Sequence, residues 1–310
     1  MPFFSIIIPT YNRAHLLGKA LRSVQEQSFS DWECIVVDDG STDKTKELVG
    51  KYTETDKRFK YIFQQNAERS AARNKGISYS NGQYICFLDS DDYYLENRLE
   101  LLHGFLLNIN LPIGFFYTGF FIEKNKQLEA GLSFSSHNNV FDQIIFSLIL
   151  CQRVCISRDI LIKNQFNPGL IVGEDVELWI RIAVQHPPVF IPNQSTFVLV
   201  DHSERTVARA NYIRFKFQLE SLKVIFSKGH PGFKNITKKV RKSIFSYVYF
   251  GLGKYYLSEG KRFLGVLLLI RAIFSDLKNT QIRHRIFSFS QFLKWGETPL
   301  KTLNRIENGK

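Results

Sequence analysis

Four short apolar runs alternate with helical patterns in the first third of the chain, and this alternation constrains the fold more than any other feature. The runs, at residues 3–8, 32–37, 59–63 and 83–88, have the character of buried strands. Apolar residues recur at helical spacing after the first run, as at Leu17, Leu21 and Val24. The alternation predicts an α/β domain in which helices cover both faces of a mainly parallel sheet.

Polar turns follow three of the predicted strands, at residues 9–13, 38–43 and 89–92. The carboxyl ends of parallel strands meet at one edge of the sheet, and ligands bind at that edge where the strand order reverses. We therefore expect the three turns to converge on one binding site.

The third turn, Asp89-Ser90-Asp91-Asp92, concentrates carboxylates at the end of a buried strand. Such groups repel one another and resist desolvation unless a cation or a donor network lies between them. Hard oxygen ligands on one short turn suit Mg²⁺ or Mn²⁺. The alternative interpretation is that these acids only cap a helix that begins near Leu95.

Two familiar nucleotide-binding motifs are missing from the sequence. No G-x-G-x-x-G follows the first strand, and no G-x-x-x-x-G-K-[ST] occurs in the chain, so a nicotinamide enzyme or a P-loop ATPase is not expected. Four segments instead resemble glycosyltransferase family 2, whose members use nucleotide-diphospho-sugars. They are Ile8-Pro9-Thr10-Tyr11-Asn12-Arg13, Val37-Asp38-Asp39-Gly40-Ser41-Thr42-Asp43, Ala72-Arg73-Asn74-Lys75-Gly76 and the D-x-D turn at Asp89 to Asp91.

The resemblance covers roughly residues 3–200 and implies the GT-A fold, a Rossmann-like, mixed but mainly parallel sheet flanked by helices. Residues 1–203 would form the catalytic domain, with a nucleotide-sugar-binding half at 1–110 and an acceptor-side half at 111–203. Residues 204–310, where strand signals vanish, are predicted to form a basic helical C-terminal extension.

The resemblance also implies which residues bind the nucleotide sugar. Thr10 and Tyr11 would line the base pocket, and Asp39 would accept hydrogen bonds from the ring N–H of a uracil-like base and from nearby ribose groups. Arg73 would add positive charge near the nucleotide, although it could instead be an ordinary surface arginine of a helix. The full set is Pro9, Thr10, Tyr11, Arg13, Asp39, Arg73, Asp89 and Ser90.

Two points near this pocket stay open at the level of sequence. Asp39 and Ser41 could cap a helix instead of binding a ligand, or do both. The family often carries glycine two positions after the asparagine that matches Asn66, whereas this chain has Glu68 there, so the path of that loop is not fixed.

The implied metal ligands are Asp91, bound directly, and Asp89, which would bind metal or ribose. His202, after the last predicted strand of the catalytic domain, would approach the diphosphate or complete the metal shell. Asp92 is predicted to be a structural cap.

Glu174 and Asp175 match the acceptor-side E-D motif of the family, in which the second acid is usually the base. On a helix that starts there, Asp175, Leu178 and Trp179 share one face. An acid in the first helical turn is held ionised by the helix dipole, which suits a general base that deprotonates a sugar hydroxyl. Helix capping by Asp175 is the alternative.

Together, the implied roles describe an inverting, metal-dependent transferase with a single displacement at the anomeric carbon. The donor would be a nucleoside-diphosphate sugar, most simply a UDP-sugar, and the acceptor a saccharide or lipid-linked saccharide of surface polysaccharide assembly. A nucleotidyltransferase is disfavoured because no glycine-rich basic phosphate loop occurs early in the chain. A catalytically dead sugar-nucleotide binder is disfavoured by the presence of Asp39, Asp91 and Asp175.

The net charge of +12 predicts an anionic partner. A nucleic-acid-binding module would need this charge clustered with stacking or base-reading residues. Because acids converge at the predicted site, no nucleic-acid partner is expected. Basic and aromatic residues alternate in the C-terminal region, for example at Arg262, Arg271, Phe287 and Trp295. They form either an interfacial helix on an anionic membrane or the solvated face of a packed helical subdomain.

Cysteine usage and hydropathy predict the compartment. Two of the four cysteines lie in apolar strand-like runs and show no C-x-x-C spacing, which is typical of free thiols in a reducing compartment. The sequence shows no signal peptide and no apolar stretch of membrane-spanning length. A cytoplasmic protein, peripheral on the inner face of the membrane where it contacts lipid, is therefore expected.

Overall fold

The computed structural model describes residues 1–109, 113–124, 127–130, 139–146, 149–200 and 211–275. Internal contacts divide the chain into two compact units. The first unit is Met1–His202 together with Lys228–Asn235, and the second unit is Ser203–Ser227 together with Ile236–Lys310.

The described strands of the first unit form one mixed sheet. Their bounds are β1 Phe4–Thr10, β2 Trp32–Asp38, β3 Phe59–Phe63, β4 Tyr84–Phe87, β5 Tyr93–Tyr94, β6 Phe115–Lys124, β7 Gln127–Ala130, β8 Val154–Ser157 and β9 Val189–Val200. The strand order is β3-β2-β1-β4-β8-β6-β9-β5, and β7 pairs with β6.

The described helices of the first unit are α1 Ala14–Gln25, α2 Thr45–Thr55, α3 Glu68–Tyr79, α4 Arg98–Asn108, α5 Val140–Phe146, α6 Arg158–Lys163 and α7 Glu174–Ala183. Short 3₁₀ helices lie at Cys151–Arg153 and Phe233–Asn235. The second unit contains α8 Asn211–Ile225, α9 Lys238–Ser258 and α10 Arg262–Ser275.

The parallel core matches the predicted α/β alternation. β1 lies between β2 and β4 and is parallel to both, so the chain order reverses at β1. Every side chain of β2 is buried, as expected of a strand covered on both faces. The carboxyl ends of β1, β2 and β4 therefore lie side by side, which brings the three polar turns to one edge.

Gly76 allows α3 to lie close against β1. A Cβ added at this glycine would lie 2.4 Å from Cγ2 of Ile7, closer than side chains approach one another. This contact fixes α3 against the central strand. The amino-terminal turns of α3, which carry Ser70 and Arg73, consequently lie on the side of the binding edge.

Beyond residue 110 the sheet departs from a simple parallel order. β8 is antiparallel to β4 and β6, whereas β6 and β9 are parallel. The aromatic-rich segment Phe115–Lys124 forms β6. The structure describes α5 over Val140–Phe146, and residues 149–150 are not helical. The helix expected near Leu95 begins at Arg98.

The predicted helical character after residue 204 is confirmed for the described part of the second unit. The backbones of α9 and α10 approach closely, because a Cβ at Gly253 would lie 2.8 Å from Cδ2 of Leu269. Ser246 also donates a hydrogen bond from Oγ to the Ala272 carbonyl, at 2.6 Å. Among the described residues, no helix combines the length and the apolar content that a membrane crossing needs.

All four cysteines are buried free thiols, in agreement with the sequence. Cys86 on β4 lies directly opposite Cys155 on β8 in the strand register.

Candidate active site

The turns after β1 and β2 are joined by direct hydrogen bonds. The Asn12 N–H donates to Ser41 Oγ at 2.9 Å, and the Thr42 N–H donates to Asn12 Oδ1 at 2.7 Å. Asn12 has φ of 50°, the left-handed conformation that asparagine tolerates better than most residues. The motif residues of the two turns therefore form one rigid frame.

Asp43 secures the starts of two helices. Its Oδ2 accepts the Ala14 N–H at 2.9 Å, and its Oδ1 accepts the Thr45 N–H at 3.0 Å. Although its partial burial acts in the opposite direction, these hydrogen bonds hold the pKa of Asp43 below its ordinary value. The backbone amide of Thr45, at the start of α2, is therefore bound by Asp43, whereas Ser41 Oγ accepts the Asn12 N–H of the other turn.

Asp39 is buried at the carboxyl end of β2. Its Oδ1 accepts hydrogen bonds from Gln64 Nε2 at 2.6 Å and from the Ala67 N–H at 2.9 Å. Its own N–H donates to the Thr10 carbonyl at 2.9 Å. The carboxylate is thus fixed between the first two turns and the segment before α3. Its predicted contact with a nucleotide base stays a prediction.

The loop between β3 and α3 keeps a glycine-like path without glycine. Glu68, where the family often has glycine, has φ of 69°. Gly40 faces this loop with φ of 87°, and a Cβ there would lie 2.9 Å from the Asn66 amide nitrogen. The open question about this loop is answered, because Glu68 adopts the left-handed conformation that glycine adopts without strain.

The D-x-D turn gathers three carboxylates. Asp89, Asp91 and Asp92 each offer an oxygen, and these oxygens lie within 4.8 Å of one another. Hard carboxylate oxygens at this spacing fit Mg²⁺ or Mn²⁺. The helix-capping interpretation is wrong, because Asn97 occupies the N-cap position of α4 and makes no side-chain capping bond.

One arginine and one amide hold these carboxylates in place. Arg13 Nη1 lies 3.0 Å from Asp91 Oδ2. Gln152 Nε2 donates to Asp92 Oδ2 at 2.8 Å and also to Asp89 Oδ2. Asp92 is fully buried and bound by Gln152, so it supports the turn without capping a helix.

Arg73 links the D-x-D turn to the acceptor-side motif. Its Nη2 lies 2.9 Å from Asp89 Oδ1, and its Nη1 lies 2.9 Å from Glu174 Oε1. The guanidinium is 4% exposed, so the alternative of a surface arginine is wrong. The Arg73 side chain therefore connects distant segments of the sequence, since Arg73 and Glu174 are 101 positions apart.

Three buried polar atoms at this edge have no hydrogen-bond partner within the described ranges. They are Thr10 Oγ1, Ser70 Oγ and Arg73 Nε. Buried polar groups are nearly always hydrogen-bonded, so an unpaired set at the binding edge of the sheet fits a polar ligand. The sequence predicted Thr10 and Arg73 as ligand-binding residues but not Ser70.

Asp175 lies in the first turn of α7. Gly173, with φ of 78°, holds the N-cap position, and Asp175 Oδ1 accepts the Val176 N–H at 2.8 Å. Burial, followed by the neighbouring Glu174 carboxylate, raises the pKa of Asp175 to about 7. A carboxyl with this pKa exchanges protons near neutrality, as a general base requires.

A polar cluster anchors α7 on its other side. Glu177 is buried and accepts hydrogen bonds from Arg181 Nε at 2.9 Å and from His230 Nε2 at 3.2 Å. The Gly232 N–H donates to His230 Nδ1, which assigns the ring proton to Nε2. Although burial opposes ionisation, Arg181 and His230 hold the pKa of Glu177 below its ordinary value. Trp179 Nε1 also donates to the Ile149 carbonyl, at 2.7 Å.

The other sequence-predicted residues are placed as follows. Pro9 and Tyr11 flank Thr10 at the end of β1, where Tyr11 is 48% exposed, and Ser90 is buried within the D-x-D turn. His202 lies outside the described residues. Sequence reasoning missed the roles of Gln152 and of Glu174 as a partner of Arg73. No local pattern signals either role, because both contacts join distant segments.

The sequence model described as Glycosyl transferase family 2 matches residues 5–151. An uncharacterized glycosyltransferase of Rickettsia bellii is 38% identical over 182 residues, which are 58% of this chain and 26% of that protein. This chain spans only 26% to 30% of the length of the first three relatives, all from Rickettsia.

A second relative is matched over most of its length. The E. coli UDP-Glc:alpha-D-GlcNAc-diphosphoundecaprenol beta-1,3-glucosyltransferase WfgD is 33% identical over 180 residues, which are 57% of this chain and 68% of that protein.

Among solved structures, S. aureus TarS 1-349 in complex with UDP-GlcNAc superimposes with a TM-score of 0.66 at 18% identity. The match covers 89% of this chain and 81% of that chain. This likeness confirms the GT-A fold. Because the sequence match to WfgD spans more than two thirds of that protein, the chain belongs to glycosyltransferase family 2.

Proposed function

We propose that this protein is an inverting, metal-dependent glycosyltransferase that moves a sugar from a nucleoside-diphosphate sugar to a saccharide or lipid-linked saccharide of surface polysaccharide assembly. One observation carries the proposal: Arg73 binds both Asp89 of the D-x-D turn and Glu174, the chain neighbour of Asp175. The diphosphate-binding turn and the candidate base are thereby held within the reach of one side chain, as a direct displacement needs.

In the proposed reaction, Asp175 accepts the proton of the acceptor hydroxyl. The acceptor oxygen forms a bond to the anomeric carbon from the face opposite the diphosphate. The bond between that carbon and the diphosphate oxygen breaks, and the nucleoside diphosphate leaves with the electron pair. The configuration at the anomeric carbon is inverted.

Asp39 and the unpaired hydroxyl of Thr10 are the proposed base and ribose contacts. A carboxylate that accepts a ring N–H discriminates against bases lacking this donor, which favours uracil. The solved TarS complex with UDP-GlcNAc and the UDP-Glc in the name of WfgD support a UDP-sugar donor.

Asp91 and Asp89 are the proposed ligands of Mg²⁺ or Mn²⁺, and the three-carboxylate cluster supports this assignment. A bound divalent cation neutralises negative charge on the departing diphosphate. Arg13 and Arg73, which pair with these carboxylates, are the proposed cationic contacts of the phosphates. The contribution of His202 stays a proposal.

The name of WfgD describes an acceptor linked to diphosphoundecaprenol, which supports a lipid-linked acceptor here. Such an acceptor lies at a membrane surface, so peripheral association with an anionic membrane is part of the proposal.

Thermal unfolding tests the donor half of the proposal. We expect UDP with Mn²⁺, at about 100 times the dissociation constant, to stabilise the protein by about 2.7 kcal/mol and to raise Tm by roughly 5 °C. Asp91→Asn should abolish this shift, whereas Asp159→Asn, an exposed carboxylate in the first turn of α6, should retain it. The absence of a shift with any nucleoside diphosphate in the unmodified protein would refute a nucleotide-sugar donor.

The raised pKa of Asp175 gives the reaction a pH dependence. A base acts in its deprotonated form, so the rate at saturating donor should rise about tenfold per pH unit below the pKa and level off above it. Nearby cations favour the carboxylate, so in the loaded enzyme the inflection should lie at or below about 7. Product formation measured from about pH 5 to about pH 8.5 checks this, and a rate that falls with rising pH across that range would contradict it.

A further inference from the structure

The net positive charge of the chain comes from its second unit. The first unit contains 21 lysines and arginines and 23 acidic residues, whereas the second unit contains 20 lysines and arginines and only 6 acidic residues. Within the described part of the second unit, 11 basic residues are accompanied by 2 acidic ones, Glu220 and Glu259. The excess of basic residues therefore belongs to the second unit, whereas the described residues of the candidate active site belong to the first.

The last described helix of this unit, α10, exposes large apolar side chains on one face. Gly265, Leu269 and Ala272 are buried, and they share the face that packs on α9. On the opposite face, Phe263 is 85%, Leu267 50%, Ile270 44% and Phe274 72% exposed. These four residues recur at intervals of three and four and form one continuous row, here named the outer stripe.

We propose that the outer stripe docks this protein on an anionic membrane surface. The inference rests on the proposed function, because a lipid-linked acceptor must be reached at such a surface. With 14 residues α10 is about 21 Å long, too short for a hydrocarbon core of about 30 Å, but suited to lie in the plane of the interface. Apolar side chains backed by a strongly basic unit are the combination by which interfacial helices bind anionic lipid.

The basic residues of α10 fit this orientation. Lys261 and Arg262 precede and start the helix, Arg271 lies in its third turn, and all three are exposed. Each can reach lipid phosphates while the stripe enters the boundary between headgroups and acyl chains. A nucleic acid would be attracted by the charge but would leave the outer stripe exposed to water.

Sedimentation with lipid vesicles tests the docking surface. The full chain should bind vesicles of phosphatidylcholine and phosphatidylglycerol at about a 7:3 ratio, and bind phosphatidylcholine vesicles weakly. The double variant Phe263→Ser/Phe274→Ser should bind the anionic vesicles at least about tenfold more weakly. The matched control Leu107→Ser/Ile162→Ser removes two exposed apolar side chains of the first unit, 63% and 44% exposed, and should bind normally.

Equal vesicle binding by the double variant and the unmodified chain would overturn the docking surface, and so would the absence of any vesicle binding. A third contrary result would be that the unmodified chain self-associates and that the double variant is monomeric. The last result would assign the outer stripe to a contact between copies. The UDP-induced rise in Tm, measured on the same preparations, separates the two proposals. Vesicle binding without that rise would contradict the proposed donor, and the rise without vesicle binding would contradict the docking surface alone.

Discussion

Asp175→Asn is expected to lower the rate of sugar transfer by about 10²-fold to 10⁴-fold while leaving the affinity for UDP unchanged. The asparagine amide has nearly the same shape as the carboxylate but cannot accept the proton of the acceptor hydroxyl. The contacts proposed for the nucleotide lie at Thr10, Asp39 and the D-x-D turn, so donor binding should persist. Single-turnover transfer and UDP titration, measured on the same sample, check both halves of this expectation.

The same substitution has a predictable effect on stability. The pKa of Asp175 rises from an ordinary 3.8 to about 7 in the folded chain. Between these two values the folded state binds more protons than the unfolded state, so the unmodified chain loses stability as pH rises through this window. The asparagine side chain does not titrate, and the Asp175→Asn variant should therefore gain stability relative to the unmodified chain as pH rises from about 4 to 7.

Asp159→Asn is the matched control, because it removes an exposed carboxylate from the first turn of another helix of the same unit. It should leave the rate of sugar transfer unchanged. Transfer by Asp175→Asn within about tenfold of the unmodified rate would rule out Asp175 as the general base.

Arg73→Met is expected to be the most destabilising single change at the site. The substitution preserves much of the side-chain volume but leaves Asp89 and Glu174 without their shared guanidinium, and Glu174 is buried. Removing one partner of a buried ion pair costs about 3–5 kcal/mol, mainly because the remaining charge is uncompensated. Urea unfolding without ligand measures the loss, and transfer activity should also be absent because α7 loses its link to the D-x-D turn.

Two variants sharpen this test. Lys75→Met, in the same helix, removes a charge that is not part of this network and should change the free energy of unfolding by less than about 0.5 kcal/mol. Arg73→Met/Glu174→Gln removes the uncompensated charge and should recover part of the stability but none of the activity. A cost below about 1 kcal/mol for Arg73→Met would show that the bridge does not hold the site together.

The fold was predictable from sequence where the signal is local. The first four strands could be predicted from apolar runs, because a strand buried on both faces consists of nearly continuous apolar residues. The ends of these runs also located the turns. The same local patterns do not give the order of the strands beyond residue 110. The pairing of β8 between β4 and β6 depends on contacts among distant segments, and no periodicity within β8 reports which strand will lie beside it.

In the candidate site, too, local motifs were predictable and contacts between distant residues were not. Asp39, Asp91 and Asp175 were identified from motifs that occupy a few consecutive residues. The ion pair between Arg73 and Glu174 joins residues 101 positions apart, and Gln152 reaches Asp89 across 63 positions. Such contacts depend on the finished packing, in which burial makes each charge require a partner that its own segment does not supply.

The segment Lys228–Asn235 has a consequence for how this protein could exchange parts with its relatives. The chain leaves the first unit after residue 202, forms α8, returns for these eight residues and leaves again. During the return, His230 binds Glu177 on the helix that carries Asp175, and Gly232 lies against Ile180 so closely that a Cβ would stand 2.3 Å from its Cγ2. A single genetic crossover after β9 would thus import a foreign C-terminal unit but discard a piece of the first. Recombination that preserves this fold has to retain Lys228–Asn235 or replace it with a segment that packs equally well against α7.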